Sequence, residues 1–379
     1  MGRNRVRKRP AAAAPHVMLK KPSAAGSGHG GRPSMTYITP EDIRKENVPH
    51  FYDIALNGMD LSGIRLAIPS FGRPDMLCQG TLPLLRRHGF PLEQVHVFIS
   101  PVQAPNCQEP EWYRYLSSLR REGFGMVNLQ LGRDGLEHQM HAIFQWAQNG
   151  YVLVMTDDVK DVLERKMTMP GNTPTLSPLP LGMLCALFLH GRDLLNVTDS
   201  FAWSVNCSQN VRSMNETAIS RRFGLLEGNL TGFRLEGSAD DWRVEEGLGI
   251  VYDVALSCNL WSTGRLFCRY RSLCISHRYR GEGGYQTVMQ RQSRRREEDG
   301  AITRLARRHP TLIEFLHKPA SSVRTMQYRM LPHGENPFEM KAPKPATCGR
   351  RREAFAARAM TSTERVRLYR HGKRSLSAA

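Results

Sequence analysis

A chain of 379 residues, 40% of them hydrophobic, can bury a sizeable core as one large domain or two small ones. No apolar run approaches the roughly 18 residues that cross a bilayer, so no membrane span is expected, and eight cysteines without a CxxC pair argue against a zinc site or a disulfide framework. The formal charge of +18 sits mostly at the ends: residues 1–35 hold eight Lys/Arg and no acid, residues 341–379 are +9, and about +1 is left for residues 36–340.

Residues 1–35, rich in Arg, Lys, Ala, Gly, Ser and Pro, are predicted to be a disordered basic tail. RVRKRP (Arg5 to Pro10) with Lys20-Lys21 fits a nuclear address or a nucleic-acid arm, and the nucleus is the expected location. An organellar transit peptide has a similar composition, and a cytoplasmic location is a further reading. Thr39-Pro40-Glu41-Asp42 has the cap, proline and acids of a helix start.

From here strands and helices alternate. IRLAIPSF (Ile64 to Phe71) reads as a buried strand, and Pro74 to His88 as an amphipathic helix interrupted near Gly80. Gln94 to Ser100 is a second strand, Glu109 to Gly123 a second helix, Met126 to Gly132 a third strand and Leu136 to Gly150 a third helix. Tyr151 to Met155 is a fourth strand that ends at Thr156-Asp157-Asp158, with a helix-like segment, VKDVLER, predicted to follow. The alternation predicts an α/β fold with a parallel, Rossmann-type sheet. There is no GxGxxG after the first strand and no Walker A motif, so a bound nucleotide would need a metal at its phosphates.

Past the Asp pair the pattern loosens. Residues 167–180 carry four prolines and read as a loop, Leu181 to Leu195 as a buried helix, and Phe201 to Asn206 as a strand with Trp203 in the core. Ile219 to Gly237 suggests short strands with glycine turns, and a helix is predicted from Asp240-Asp241 through DDWRVEEGLGIVYDVAL. Leu266 to His277 alternates like a strand and precedes the glycine loop GEGGYQ. Ile302 to His317 is read as helical, and Val323 to Leu331 as a last strand.

Adjacent carboxylates at the end of a buried strand sit where open α/β sheets place ligands, and two of them can share a hard cation with a phosphate. The competing reading is a helix N-cap at Asp158. Asp240-Asp241 likewise reads as an acid pair kept ionised by a helix start, or as an ordinary cap.

IPSFGRPDMLCQGTLPLLRRHGFP and GLEHQMHAIFQWAQNGYVLVMTDDVKDV, with FAWSVN, LTGF, the Asp240-Asp241 pair and GEGGYQ following in order, resemble GT-A glycosyltransferases. Within these the chain is most similar to the base J-associated, or TET-associated, glucosyltransferases that act on hydroxymethylated bases in DNA. The resemblance covers about residues 60–315 and implies a single GT-A-like domain at 36–340, with a nucleotide half (about 60–160), an α+β acceptor half (about 161–315), and a basic tail at 341–379. It implies Mn²⁺ or Mg²⁺ on Asp157, Asp158 and His277, and a UDP-glucose donor beside Ser70, Arg73, Gln139, Asp157, Gly283 and Gly284. Asp241 or Asp240 is the implied base, and transfer is expected by inversion onto a hydroxyl, with DNA held through the tails. The family's run of three acids is Thr156-Asp157-Asp158 here. A protein or glycan acceptor, or a non-catalytic binding protein, are the other readings.

Overall fold

After the short strand β1 (Tyr37–Ile38), a strand–helix unit repeats: β2 (Arg65–Ser70), α1 (Pro74–Gln79), α2 (Thr81–Arg87), β3 (Val95–Ile99), α3 (Glu111–Arg121), β4 (Asn128–Leu131), α4 (Leu136–Trp146) and β5 (Tyr151–Met155). The second half holds β6 (Val159–Lys166), β7 (Thr175–Pro178), α5 (Met183–Thr198), β8 (Ala202–Asn206), β9 (Ile219–Ser220), β10 (Leu230–Arg234), α6 (Tyr252–Ser262), β11 (Phe267–His277), α7 (Arg291–Arg308), β12 (Ile313–Leu316) and β13 (Gln327–Met330). In this computed structural model the described residues are 37–38, 59–102, 108–166, 173–206, 208–211, 214, 219–277, 291–316 and 327–330. The Thr39-Pro40 helix start, both basic tails and the GEGGYQ loop lie outside them.

The sheet is buried on both faces, which is why its central strands read as continuous apolar runs. Alternation sends Leu66, Ile68, Leu153 and Met155 to one face with α5, and Ala67, Val152 and Val154 to the other with α4 and α6. Trp203 is fully buried, as expected, and the described cysteines are buried free thiols.

Eleven strands form one sheet in which β4, β3, β2 and β5 are neighbours in that order and all parallel. The chain therefore works outward from β2 to β4, then returns to add β5 on the other side of β2. That reversal opens a crevice at the carboxyl ends of β2 and β5, where open α/β sheets take their ligands. Beyond β5 the sheet turns mixed: β10 runs antiparallel to β5 and to β8, and β11 lies parallel to β8 and antiparallel to β9 and β6. The result is a mixed α/β fold.

Four expectations change. VKDVLER is strand β6, paired with β11, not a helix. Val159, Val162 and Leu163 stand at helical spacing, but an open strand edge on β11 captures the segment. The 167–180 stretch is not all loop, since β7 within it pairs with β6. The helix predicted from Asp240 is broken into two 3₁₀ turns, Ala239–Trp242 and Gly249–Val251, before α6. Gly247 takes a left-handed φ of 78° between the turns, and a Cβ at Gly249 would collide with the Glu137 carboxylate. Finally, α7 stops at Arg308 and Ile313–Leu316 is strand β12, because the proline at 310 disfavours helix in the residue before it.

Candidate active site

The crevice is built first from the turn after β2. Gly72, at φ 68°, lets the chain reverse so that Arg73 stands before Pro74, the first residue of α1. Arg73 then forks onto Asp157: Nη2 donates to Oδ1 at 2.5 Å and Nε to Oδ2 at 3.2 Å. The Ser70 hydroxyl donates to the same Oδ2 at 2.5 Å and meets the Tyr115 hydroxyl at 2.6 Å, and Tyr115 also accepts the Arg73 amide. Asp157 is fully buried and both its oxygens are engaged. Burial pushes its carboxyl up to about 6, while the Arg73 guanidinium and the Ser70 hydroxyl hold it back.

Asp158, in the same turn, is partly buried. Its Oδ1 accepts the Thr156 hydroxyl at 2.8 Å, and its Oδ2 lies 3.9 Å from Nη1 of Arg73. The helix-cap reading of Asp158 falls with the finding that a strand follows it. Thr81, the first residue of α2, fixes the turn by donating to the Thr156 carbonyl at 2.8 Å and accepting the Val159 amide at 3.1 Å.

The opposite wall is the turn leading into β10. Thr156 donates its amide to the Asn229 carbonyl at 3.1 Å, and its hydroxyl lies 3.0 Å from Asn229 Oδ1. Asn229 in turn donates through Nδ2 to Glu227 Oε1 at 2.5 Å. A line of polar groups thus runs from Asp158 through Thr156 and Asn229 to Glu227. Burial pushes the Glu227 carboxyl up to about 7; nearby Asp253 adds to this and the Asn229 hydrogen bonds oppose it. Neither Glu227 nor Asn229 stands out in the sequence, because the antiparallel pairing of β10 with β5 that brings them here has no local signature.

His277, at the end of β11, pairs with Val159 across a bulge, next in sequence to Asp158. Among the described residues no group of three or more His, Cys, Asp and Glu side chains is arranged to hold a metal ion. Asp158 and His277 instead offer one carboxylate and one imidazole at neighbouring positions. That donor set fits a divalent cation that takes its remaining ligands from a diphosphate and water.

Gln139 is buried on α4 with its amide engaged by backbone: Nε2 donates to the Phe98 carbonyl, and Oε1 accepts the Arg133 amide at 2.6 Å. It ties the end of β3 to the loop after β4. Asp240 and Asp241 are not brought to the crevice. Since Leu230 pairs with Met155 and Arg234 with Tyr151, the chain leaving β10 emerges at the opposite edge of the sheet. There Asp241 caps its 3₁₀ turn in a capping box with Ser238 and lies 3.5 Å from Arg265, and Asp240, largely exposed, lies 3.4 Å from His141. Gly283 and Gly284 fall outside the described residues.

No family model matches the chain, and no curated protein matches it. Among solved structures it is similar to the mannosyltransferase PcManGT from Pyrobaculum calidifontis, in complex with GDP-Man and Mn²⁺: 13% identity, TM-score 0.40, over 68% of this chain and 71% of that one. It is also similar to glucosyl-3-phosphoglycerate synthase from Mycobacterium tuberculosis, in complex with Mn²⁺, UDP and glucosyl-3-phosphoglycerate, at 9% identity and TM-score 0.36 over 74% and 90%. S. aureus TarS 1–349 with UDP follows at 12% identity and TM-score 0.32 over 56% and 59%. These likenesses are loose, and the chemistry of the crevice rests on its own side chains.

Proposed function

We propose that the chain is a metal-dependent glycosyltransferase whose nucleotide-sugar donor sits over the carboxyl ends of β2 and β5. The observation that carries this reading is the Arg73–Asp157 fork beside the partly exposed Asp158, at the point where the strand order reverses. Arg73, pinned in place by a buried carboxylate, offers its remaining N–H groups to a diphosphate. Asp158, with His277, is assigned the divalent cation, Mn²⁺ or Mg²⁺. When bound, the cation supplies charge stabilisation to a leaving nucleoside diphosphate. Asp157 serves both ligands at one remove by fixing Arg73 and the turn. Gln139 shapes the donor side by holding the end of β3, and Gly283 and Gly284 remain assigned to the donor by their place after His277.

The donor proposed is UDP-glucose, transferred in one inverting displacement to a hydroxyl of a hydroxymethylated base in DNA, within the nucleus. The basic ends, residues 1–35 and 341–379, support a polyanionic acceptor, because phosphate contacts bind without sequence choice. The charge of about +1 on residues 36–340 favours a second reading, a protein or glycan acceptor. The test is release of UDP from UDP-glucose with Mn²⁺, with and without a duplex containing 5-hydroxymethyluracil, for wild type and Asp158→Ala. The reading expects turnover in the wild type, stimulation by the modified duplex and loss in the variant. Equal turnover in the two proteins would remove Asp158 from the site.

A further inference from the structure

A displacement at a sugar carbon leaves one requirement that Arg73, Asp157, Asp158 and His277 do not meet: the incoming hydroxyl must lose its proton. The base has to stand at the carboxyl edge of β5, beside Asp158 but clear of the cation. Asp157 has both oxygens engaged, Asp161 pairs with Arg87 at 3.0 Å, and Asp240 and Asp241 lie at the far edge of the sheet. Glu227 is brought to that edge by the end of the β10–β5 ladder and by its bond to Asn229. The five-rung register of β10 on β5 ends there at Leu230–Met155, and the Thr156 amide donates to the Asn229 carbonyl. Its Oε1 is held by Asn229, which orients the carboxylate while leaving Oε2 to a substrate.

We propose that Glu227 is the general base for the acceptor hydroxyl, an inference that rests on the glycosyltransferase reading. The acceptor O–H proton passes to Glu227 Oε2 as the acceptor oxygen bonds to the anomeric carbon. The bond from that carbon to the diphosphate oxygen breaks, its electron pair leaves with the nucleoside diphosphate, and the proton is later lost to solvent. Burial raises the basicity of Glu227 most, and Asp253 at the start of α6 adds to this. A neighbouring negative charge at Asp253 makes the Glu227 carboxylate a stronger base than an isolated one. Gly228 brings α6 close, since a Cβ there would lie 3.5 Å from Asp253 Cβ.

The experiment compares wild type, Glu227→Gln, Glu227→Asp and Asp253→Asn. UDP binding is measured by calorimetry with Mn²⁺, and UDP release from UDP-glucose, UDP-N-acetylglucosamine and GDP-mannose (GDP in the last case) is followed against pH. Glu227→Gln should bind UDP within about twofold of wild type, release it about 100- to 10,000-fold more slowly, and lose the acid limb of the kcat/KM profile. Glu227→Asp should recover part of the rate and keep the limb; it decides the matter if the Gln variant does not fold. Asp253→Asn should shift the limb to lower pH, because a neighbouring negative charge is gone. A Glu227→Gln protein with wild-type turnover, or with its acid limb intact, overturns the assignment. Wild type that binds UDP and turns over isolates the test to Glu227; wild type that neither binds nor releases a nucleotide sinks the transferase reading, and the base with it.

Discussion

Asp157 and Asp158 are adjacent in sequence and opposite in circumstance. One is fully buried and shared between Ser70 and Arg73; the other is partly buried, accepts the Thr156 hydroxyl and has an oxygen 3.9 Å from Arg73. Asp157→Asn is therefore expected to weaken UDP binding roughly tenfold by releasing Arg73, while Mn²⁺ affinity measured by electron paramagnetic resonance stays near wild type. Asp158→Ala should do the reverse, losing Mn²⁺ with UDP binding in the absence of metal little changed. Glu227 carries a stability signature as well. Its folded carboxyl lies above the ordinary carboxylate value, so the folded state holds this proton more tightly than the unfolded chain. The stability contributed is full below the ordinary carboxylate range and falls as pH rises through about 7. Glu227→Gln should accordingly raise stability near pH 8 by on the order of 2 kcal/mol and change it little near pH 4, measured by urea titration at both pH values. The acid pair on the fourth strand was legible in the sequence because a buried run delivers it. Glu227 was not, because its position depends on which strand β10 joins.

At the scale of elements, the crevice is a set of turns fastened to one another by side chain-to-backbone hydrogen bonds. Thr81 is the clearest case, bridging α2 to both sides of the Asp turn. Thr81→Val keeps the shape and removes both bonds in a buried position. It should cost about 1–3 kcal/mol in thermal or urea unfolding and weaken Mn²⁺ binding, since the Asp158 turn loses its clamp. The strand–helix repeat up to β5 followed from periodicity and from Gly/Pro punctuation, and the predicted elements stand within a few residues of the observed ones. What could not be read were segments whose state is set by a distant partner. VKDVLER has helical spacing yet is stitched to β11, and the predicted helix from Asp240 is interrupted where Gly247 and Gly249 pass under Glu137. The same break leaves Asp240 and Asp241 in a single 3₁₀ turn rather than at the start of a helix, and the antiparallel run of β10 on β5 sets that turn at the opposite edge of the sheet.

Over the whole molecule, charge and fold are segregated. Residues 36–340 are close to neutral while residues 1–35 and 341–379 carry +8 and +9. Removing both ends should leave UDP and Mn²⁺ binding unchanged, abolish most retention on duplex DNA, and flatten the slope of log affinity against log salt by several units. Retention and slope equal to the full chain would place the DNA contacts on the neutral body. The pairing of β10 with β5 has a final consequence. Both walls of the crevice hang from one five-rung ladder in the middle of an eleven-strand sheet. The Thr156 amide, which bonds the Asn229 carbonyl at the end of that ladder, can then exchange with solvent only when β10 parts from β5, so this part of the site should exchange slowly. Urea should abolish UDP binding and tryptophan packing at a single midpoint, with no earlier loss of the ligand.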